Sequence, residues 1–144
     1  MIKLIVGSRG TGKTKTLIHL AEEAAKNSKG NVVCIEQGDA LKFDLTHKIR
    51  LIDIEEYDIS GPDAYYGFVS GILAGNYDIT ELFCDATYRI ICGPDCKDPE
   101  ILEDFLLRVA SLAKANETEI VFTVSTDVED LPESLLKYVM EIED

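Results

Sequence analysis

Basic residues are scarce in this chain. Its 144 residues include 14 Lys and Arg against 27 Asp and Glu, which gives a formal net charge of −13. Proteins that bind duplex nucleic acid take much of their affinity from Lys and Arg contacts to phosphates. The charge balance therefore argues against a duplex-binding role, and we expect no duplex nucleic acid among the partners.

Long apolar segments are missing as well. The first apolar run, residues 2–6, leads straight into a glycine-rich loop and does not resemble a signal peptide. No segment approaches the roughly 18 to 20 apolar residues that a membrane-spanning helix needs. We expect a soluble, cytoplasmic protein without membrane insertion.

Cysteine is present at four positions, but no complete metal-binding pattern accompanies it. Cys92 and Cys96 are separated by Gly-Pro-Asp, and no second Cys or His pair at zinc-site spacing is found. We predict an ordinary turn with two reduced thiols. Cys34 and Cys84 lie in apolar runs, where a free cysteine packs as a small hydrophobe, so we assign both to the core.

The feature that stands out is a phosphate-binding loop. Residues 7–14, Gly-Ser-Arg-Gly-Thr-Gly-Lys-Thr, match G-x-x-x-x-G-K-[ST] between a strand-like run and a helix pattern. In such a loop the backbone N–H groups surround a phosphate, the lysine reaches the terminal phosphates, and the last hydroxyl binds Mg²⁺. A glycine-rich turn that only connects a strand to a helix is the alternative. The predicted nucleotide-binding residues here are Gly7, Ser8, Arg9, Gly10, Thr11, Gly12, Lys13, Thr14 and Thr16.

The hydrophobic pattern alternates between short continuous runs and helical spacing. The runs, at residues 2–6, 32–35, 79–84, 120–124 and 138–142, are typical of strands buried in a parallel sheet, and Leu51 and Ile52 form a candidate edge strand. Helices are expected after the loop, from Pro62, from Pro99 and over residues 132–137. The pattern predicts an α/β fold in one domain, residues 1–144. We expect a three-layer sandwich with an open, mainly parallel five-stranded sheet and helices on both faces.

One helix carries glycine at every fourth position. Gly67, Gly71 and Gly75 lie within the helix that is expected from Pro62. We predict that this glycine side of the helix is flat and lies close on the sheet.

A magnesium site would need a carboxylate beside Thr14. Asp85 follows the apolar run 79–84, and a carboxylate at the end of a buried strand is where phosphate-loop folds hold their metal. We predict that Thr14 and Asp85 are the metal ligands; a turn-capping aspartate is the alternative. Ala86 occupies the next position, where many such ATPases have a water-activating glutamate. Either the chain binds without hydrolysis, or its glutamate comes from elsewhere.

The chain resembles the RecA-like group of P-loop NTPases, which includes recombinases, replicative helicases and circadian-clock-type ATPases. In that group the catalytic glutamate ends the strand after the Walker A helix, and a small residue follows the Walker B aspartate. The segments that carry the resemblance are Val32-Val33-Cys34-Ile35-Glu36, Leu82-Phe83-Cys84-Asp85-Ala86 and Ile120-Val121-Phe122-Thr123-Val124-Ser125.

This resemblance implies a strand order of 5-1-4-3-2 and a role for each site residue. Glu36 would lie beside Asp85 and activate water, so that Lys13, Glu36 and Asp85 form the catalytic set. Ser125 or Thr126 would sense the γ-phosphate. The implied function is a Mg²⁺-dependent ATP-binding protein with weak or partner-stimulated ATP hydrolase activity.

Other features leave alternatives open. Residues 87–98 contain only Arg89 and Lys97 as cations, unlike the basic DNA-binding loops of recombinases, so strand exchange and unwinding are not expected. A homo-oligomer could complete its site with Arg50, Arg89 or Arg108 from a neighbouring subunit, and an unidentified protein could be the partner.

Two further functions remain: a nucleotide-gated binding module without hydrolysis, and a small nucleoside or nucleotide kinase. The four arginines are not clustered in sequence, which argues against the kinase.

Overall fold

The computed structural model describes residues 1–38, 41 and 44–140. In this part of the chain the strands are β1 (Ile2–Gly7), β2 (Asn31–Glu36), β3 (Ile49–Asp53), β4 (Ile79–Cys84) and β5 (Glu119–Ser125). The α-helices are α1 (Lys13–Asn27), α2 (Pro62–Gly75), α3 (Thr87–Cys92) and α4 (Pro99–Ala115). Short 3-10 helices lie at Ile54–Tyr57, Val128–Asp130 and Glu133–Tyr138.

The five strands form one sheet in the order β1-β5-β4-β2-β3, and every neighbouring pair is parallel. Parallel neighbours need crossover connections, and α-helices lie in the connections from β1 to β2, from β3 to β4 and from β4 to β5. The α/β class and the five-stranded parallel sheet are therefore confirmed. All five strands have their carboxyl ends at the same edge of the sheet.

The strand order differs from the predicted 5-1-4-3-2 at both ends. The runs at 2–6, 120–124, 79–84 and 32–35 lie side by side as expected, but the sheet continues with β3, which was predicted only as an edge candidate. The predicted strand 138–142 begins inside the 3-10 helix Glu133–Tyr138. It contributes a single parallel bridge, between Leu4 and Val139. Residues 141 and 142 lie outside the described residues.

The sheet has an apolar core on each face. Successive side chains of a strand point to opposite faces, and in β5 this places Phe122 and Val124 in one core cluster and Val121 in the other. Helix α1 contributes Leu17 and Ala21 to the second cluster, whereas α2, α3 and α4 cover the first. Helices thus lie on both faces, as predicted.

The starts of the helices follow from local chemistry. Helix α4 begins after Asp98, whose carboxylate accepts the backbone N–H of Glu100 at 3.0 Å, and Pro99 occupies its first position. Helix α2 likewise has Pro62 at its start. Helix α3 was not predicted, because its six residues are too few to show a helical period.

The glycines of α2 face solvent. Gly67, Gly71 and Gly75 are exposed, and a Cβ added to any of them would have nothing within 4 Å. The buried side of the helix instead carries Tyr65 and Val69. The predicted close contact between the glycines and the sheet is therefore wrong. The helix buries its bulky apolar side, since that side removes more apolar surface from water.

The cysteines divide into two pairs. Cys34 and Cys84 are buried free thiols, which confirms their predicted place in the core. Cys92 and Cys96 form a disulfide, so the prediction of two reduced thiols there is wrong. The turn between them brings their Cα atoms to 5.3 Å, a separation that a disulfide spans.

Within the described chain, no helix has both the length and the apolar character that crossing a membrane requires.

Candidate functional site

The loop between β1 and α1 is built around two glycines in the left-handed region. Gly10 has a φ of +85° and Gly12 a φ of +86°, and open space surrounds both Cα atoms. Such angles strain any residue with a Cβ but not glycine. Within the described chain the backbone N–H groups of Gly10, Gly12, Lys13 and Thr14 make no hydrogen bond to another backbone group. They lie at the N-terminus of α1, where the helix dipole favours an anion.

The Ser8 carbonyl holds the loop together from inside. It accepts the Thr11 hydroxyl at 2.7 Å, the Thr11 backbone N–H at 3.3 Å and the Lys13 ammonium at 2.9 Å. Gly7 is required beneath it, because a Cβ at that position would lie 2.5 Å from the Thr11 hydroxyl oxygen. The side chain of Lys13 therefore lies along the phosphate-binding loop, with its ammonium on the Ser8 carbonyl.

Thr14 and Asp85 come together at the end of β4. The Thr14 hydroxyl donates to the Asp85 carboxylate, 3.2 Å from Oδ2 and 3.4 Å from Oδ1. The residues are 71 positions apart in the chain, and the sheet brings them to one point. A hydroxyl and a carboxylate oxygen are the hard ligands that Mg²⁺ prefers, so these two predicted metal ligands fit that ion.

Thr123 is a residue of the site that the sequence did not predict. Its side chain is buried within β5, and its hydroxyl donates to Asp85 Oδ1 at 2.6 Å. The hydroxyl oxygen of Thr123 also accepts the backbone N–H of Ala86 at 3.1 Å. In the sequence, Thr123 differs from its neighbours only as a hydroxyl residue inside the apolar run 120–124. It could be assigned to the site only once β4 and β5 were known to be neighbours.

A cavity of about 670 Å³ opens above these residues. Its walls come from the phosphate-binding loop, from the segment that follows β4 and from the end of β5. Among the predicted residues, the lining contains Arg9, Gly10, Gly12, Lys13, Thr14, Asp85 and Ser125. It also contains residues that were not predicted to bind: Tyr88, Gly93, Pro94, Asp95, Cys96, Lys97 and Thr123.

Lys13 experiences opposing electrostatic effects. Burial lowers the pKa of its ammonium; the negative charge of Asp85 acts in the opposite direction, and the positive charges of Lys97 and Arg9 add to the lowering. Burial without a paired carboxylate disfavours the charged form of a lysine. An anion in the cavity would relieve this effect, because it would favour the protonated ammonium.

Glu36 ends β2 beside the end of β4. The neighbouring Ile35 carbonyl accepts the backbone N–H of Asp85 at 2.9 Å. The Glu36 side chain is only 2% exposed, and its carboxylate accepts the backbone N–H of Leu41 at 3.0 and 3.2 Å. It is not among the residues that line the cavity. Its role in activating water stays a prediction.

The other predicted residues occupy the edges of the site. The Thr16 hydroxyl donates to the Gly12 carbonyl within α1 at 3.1 Å. Ser125 is paired in register with Gly7, and the backbone N–H of the buried Thr126 donates to the Gly7 carbonyl at 3.1 Å. The sheet thus brings the predicted sensor segment to the base of the loop.

The three arginines that could complete the site of a neighbouring subunit have different surroundings. Arg108 pairs with Asp63 at 2.8 Å and lies over the ring of Tyr66. Arg50 is exposed on the edge strand β3. Arg89 is exposed as well, but it lines the cavity.

No protein-family model and no curated protein matches this chain. Its chemistry therefore has to be inferred from the site itself. The observations available are a loop with free N–H groups, a hydroxyl and carboxylate pair, and several cations around one cavity.

Proposed function

We propose that this chain is a Mg²⁺-dependent ATP-binding protein of the RecA-like P-loop type, with slow or partner-stimulated ATP hydrolysis. The observation that carries the proposal is the contact between Thr14 and Asp85, with the hydroxyl 3.2 Å from the carboxylate. In a fold of this kind a metal held at that point lies beside the terminal phosphates. A turn that only connected β1 to α1 would not require either residue.

Each part of the site would then have a distinct task. The free N–H groups of the loop would bind the phosphates, and the ammonium of Lys13 would leave the Ser8 carbonyl to meet them. Thr14 and Asp85 would hold Mg²⁺, directly or through its water. Bound Mg²⁺ would draw charge from the phosphate oxygens. Thr123 would keep the carboxylate of Asp85 in place through its hydrogen bond.

A binding module without turnover is the second candidate. It is supported by the hydrogen bond of Glu36 to the Leu41 N–H and by Ala86 at the position after Asp85. A carboxylate engaged with a backbone group is a poorer general base than one aimed at a water. Under this alternative, the bound nucleotide would set the conformation of a surface that a protein partner or a second copy recognises.

A small nucleoside or nucleotide kinase is the third candidate. Two of the four arginines, Arg9 and Arg89, line the same cavity although they are far apart in sequence. Positive charge around a transferring phosphoryl group is what such enzymes need. Incubation with Mg²⁺-ATP and a panel of nucleosides and nucleoside monophosphates would reveal a phosphorylated acceptor if this candidate were correct.

Calorimetric titration with Mg²⁺-ATP tests the proposed binding. Lys13→Ala should abolish binding, whereas Lys15→Ala, an exposed lysine of the same helix, should leave it at the level of the unmodified protein. If the unmodified protein binds no nucleoside triphosphate, the proposal fails.

Phosphate release separates the first two candidates. Glu36→Gln should retain binding and slow turnover, while Glu23→Gln, an exposed glutamate of α1, serves as the control. Turnover by Glu36→Gln at the unmodified rate would make the assignment of the base wrong. Binding without phosphate release at any protein concentration would favour the module without turnover.

A further inference from the structure

Positive charge is concentrated at one place in an otherwise acidic chain. Four cations, Arg9, Lys13, Arg89 and Lys97, line the 670 Å³ cavity beside two carboxylates, Asp85 and Asp95, although the chain carries a net charge of −13. Only two of these belong to the phosphate-binding loop. The other two come from the segment after β4, so the cavity has cations on two separate walls.

Arg89 and Lys97 are positioned by local structure. Arg89 lies in helix α3, which starts two residues after Asp85. Lys97 follows Cys96, which the disulfide ties back to the end of the same helix at Cys92. The short loop between α3 and α4 therefore has little freedom, and it holds Lys97 close enough for its charge to affect Lys13.

These two cations have no acidic partner in the described chain. The ion pairs found there join Lys3 to Glu119 and Arg108 to Asp63. Arg89 and Lys97 are exposed at the cavity wall without one. Like charges that face a common space repel each other, and an anion placed between them would be stabilised by both.

We propose that Lys97 and Arg89, from the segment after β4, bind the terminal phosphate of the nucleotide together with the phosphate-binding loop. They would supply in cis the positive charge that oligomeric relatives take from a neighbouring subunit. This inference rests on the proposed function, and it assigns a role to two residues of the loop and helix after β4. The charge is useful because a triphosphate presents its greatest negative charge at its terminal group.

Binding measurements with two nucleotides test the inference without relying on turnover. Calorimetry with Mg²⁺ and a non-hydrolysable ATP analogue should show affinity reduced by about 10-fold or more in Lys97→Ala and in Arg89→Ala. Binding of ADP should change by less than about 2-fold, because ADP lacks the terminal phosphate. Lys97→Arg and Arg89→Lys, which keep the charge, should recover most of the affinity.

Lys114→Ala provides the matched control, since this lysine is exposed on α4 and does not line the cavity. It should bind both nucleotides like the unmodified protein. Circular dichroism should show that all variants fold, because the substituted side chains are exposed.

Three results would overturn the inference. If the unmodified protein binds the analogue but both alanine variants bind it equally well, the two cations do not bind the terminal phosphate, and the proposed function still stands. An equal loss of affinity for the analogue and for ADP would mean that the cations bind the phosphates that both nucleotides share, not the terminal one. Unchanged analogue binding with lost phosphorylation of an acceptor would place them at a second substrate. Absence of nucleotide binding in the unmodified protein would instead remove the proposed function itself.

Discussion

The hydroxyl of Thr123 donates a 2.6 Å hydrogen bond to the carboxylate of Asp85 and accepts the N–H of Ala86 at 3.1 Å. Ala86 has a φ of 57°, a left-handed conformation that costs a residue with a Cβ about 1 kcal/mol. The buried hydroxyl therefore offsets this strain and orients the carboxylate at the same time. The other Asp85 oxygen, Oδ2, is the nearer of the two to the Thr14 hydroxyl, at 3.2 Å.

We expect Thr123→Val to weaken both the fold and the metal site. Valine has a similar shape but no hydroxyl, so the partly buried N–H of Ala86 loses its acceptor and Asp85 loses a donor. The free energy of unfolding should fall by about 1–3 kcal/mol, measured by urea denaturation. Nucleotide binding should need several-fold more Mg²⁺, measured by titration of the metal at fixed nucleotide.

Thr123→Ser is the control for this prediction because it keeps the hydroxyl. Its Mg²⁺ requirement should match that of the unmodified protein, although the lost methyl group lowers stability by roughly 1 kcal/mol. If Thr123→Val shows the same Mg²⁺ dependence as the unmodified protein, Thr123 has only a structural role.

The sequence was sufficient for features that depend on local pattern. The loop of residues 7–14 is specified by fixed residue types at fixed spacing, and the strands of the sheet centre are continuous apolar runs. The pair of Thr14 and Asp85 was predictable because Asp85 ends a buried apolar run, where phosphate-loop folds hold their metal. Strand β3 was less predictable, since a short edge segment carries little apolar signal, and the apolar run at 138–142 was predicted as a strand although its first residue ends a 3-10 helix.

The remainder of the site depends on contacts between distant parts of the chain. Thr123 reaches Asp85 only because β4 and β5 pair with Cys84 opposite Phe122. Lys97 lies in a loop whose path cannot be deduced from composition. In both cases the residue type alone indicates no function, and the role in the site depends on a contact with residues that are far away in sequence.

The disulfide makes a prediction about thiol counts. Protein purified without reductant and then denatured should react through two thiols, Cys34 and Cys84, and after reduction through four. A thiol reagent with a chromophore measures this directly. Four reactive thiols before reduction would show that Cys92 and Cys96 are unpaired in solution. Cys92→Ser should give a count of three without reductant.

Cys84 should make the fold sensitive to alkaline pH. The pKa of its thiol is raised from 9.0 to about 12, mainly by burial; the neighbouring Tyr65 hydroxyl opposes this rise, and the negative charge of Asp85 contributes to it. Between these values the folded state keeps a proton that the unfolded state has lost. The contribution of Cys84 to the free energy of unfolding is therefore fully present below about pH 9 and is lost as the pH rises towards 12. One such group gives a slope of about 1.4 kcal/mol per pH unit in this range.

Cys84→Ala tests this contribution by urea denaturation at several pH values. Above pH 9 the free energy of unfolding should fall less steeply with pH than in the unmodified protein, by the amount that corresponds to one proton released on unfolding. Cys34, whose pKa burial also raises well above its ordinary value, should retain its own contribution. An unchanged slope in Cys84→Ala would mean that this thiol titrates alike in both states.

Gly71→Ala should stabilise the protein by about 0.5–1 kcal/mol, because alanine favours a helix and narrows the unfolded ensemble. Gly71 is exposed in the interior of α2, and nothing would contact its Cβ. The contrasting variant is Gly12→Ala, which has equal space but a φ of +86° and should therefore destabilise the loop and reduce nucleotide binding. Urea unfolding of both variants measures the difference. A loss of stability in Gly71→Ala would mean that the glycine side of α2 is packed in solution, against the sheet or against another copy.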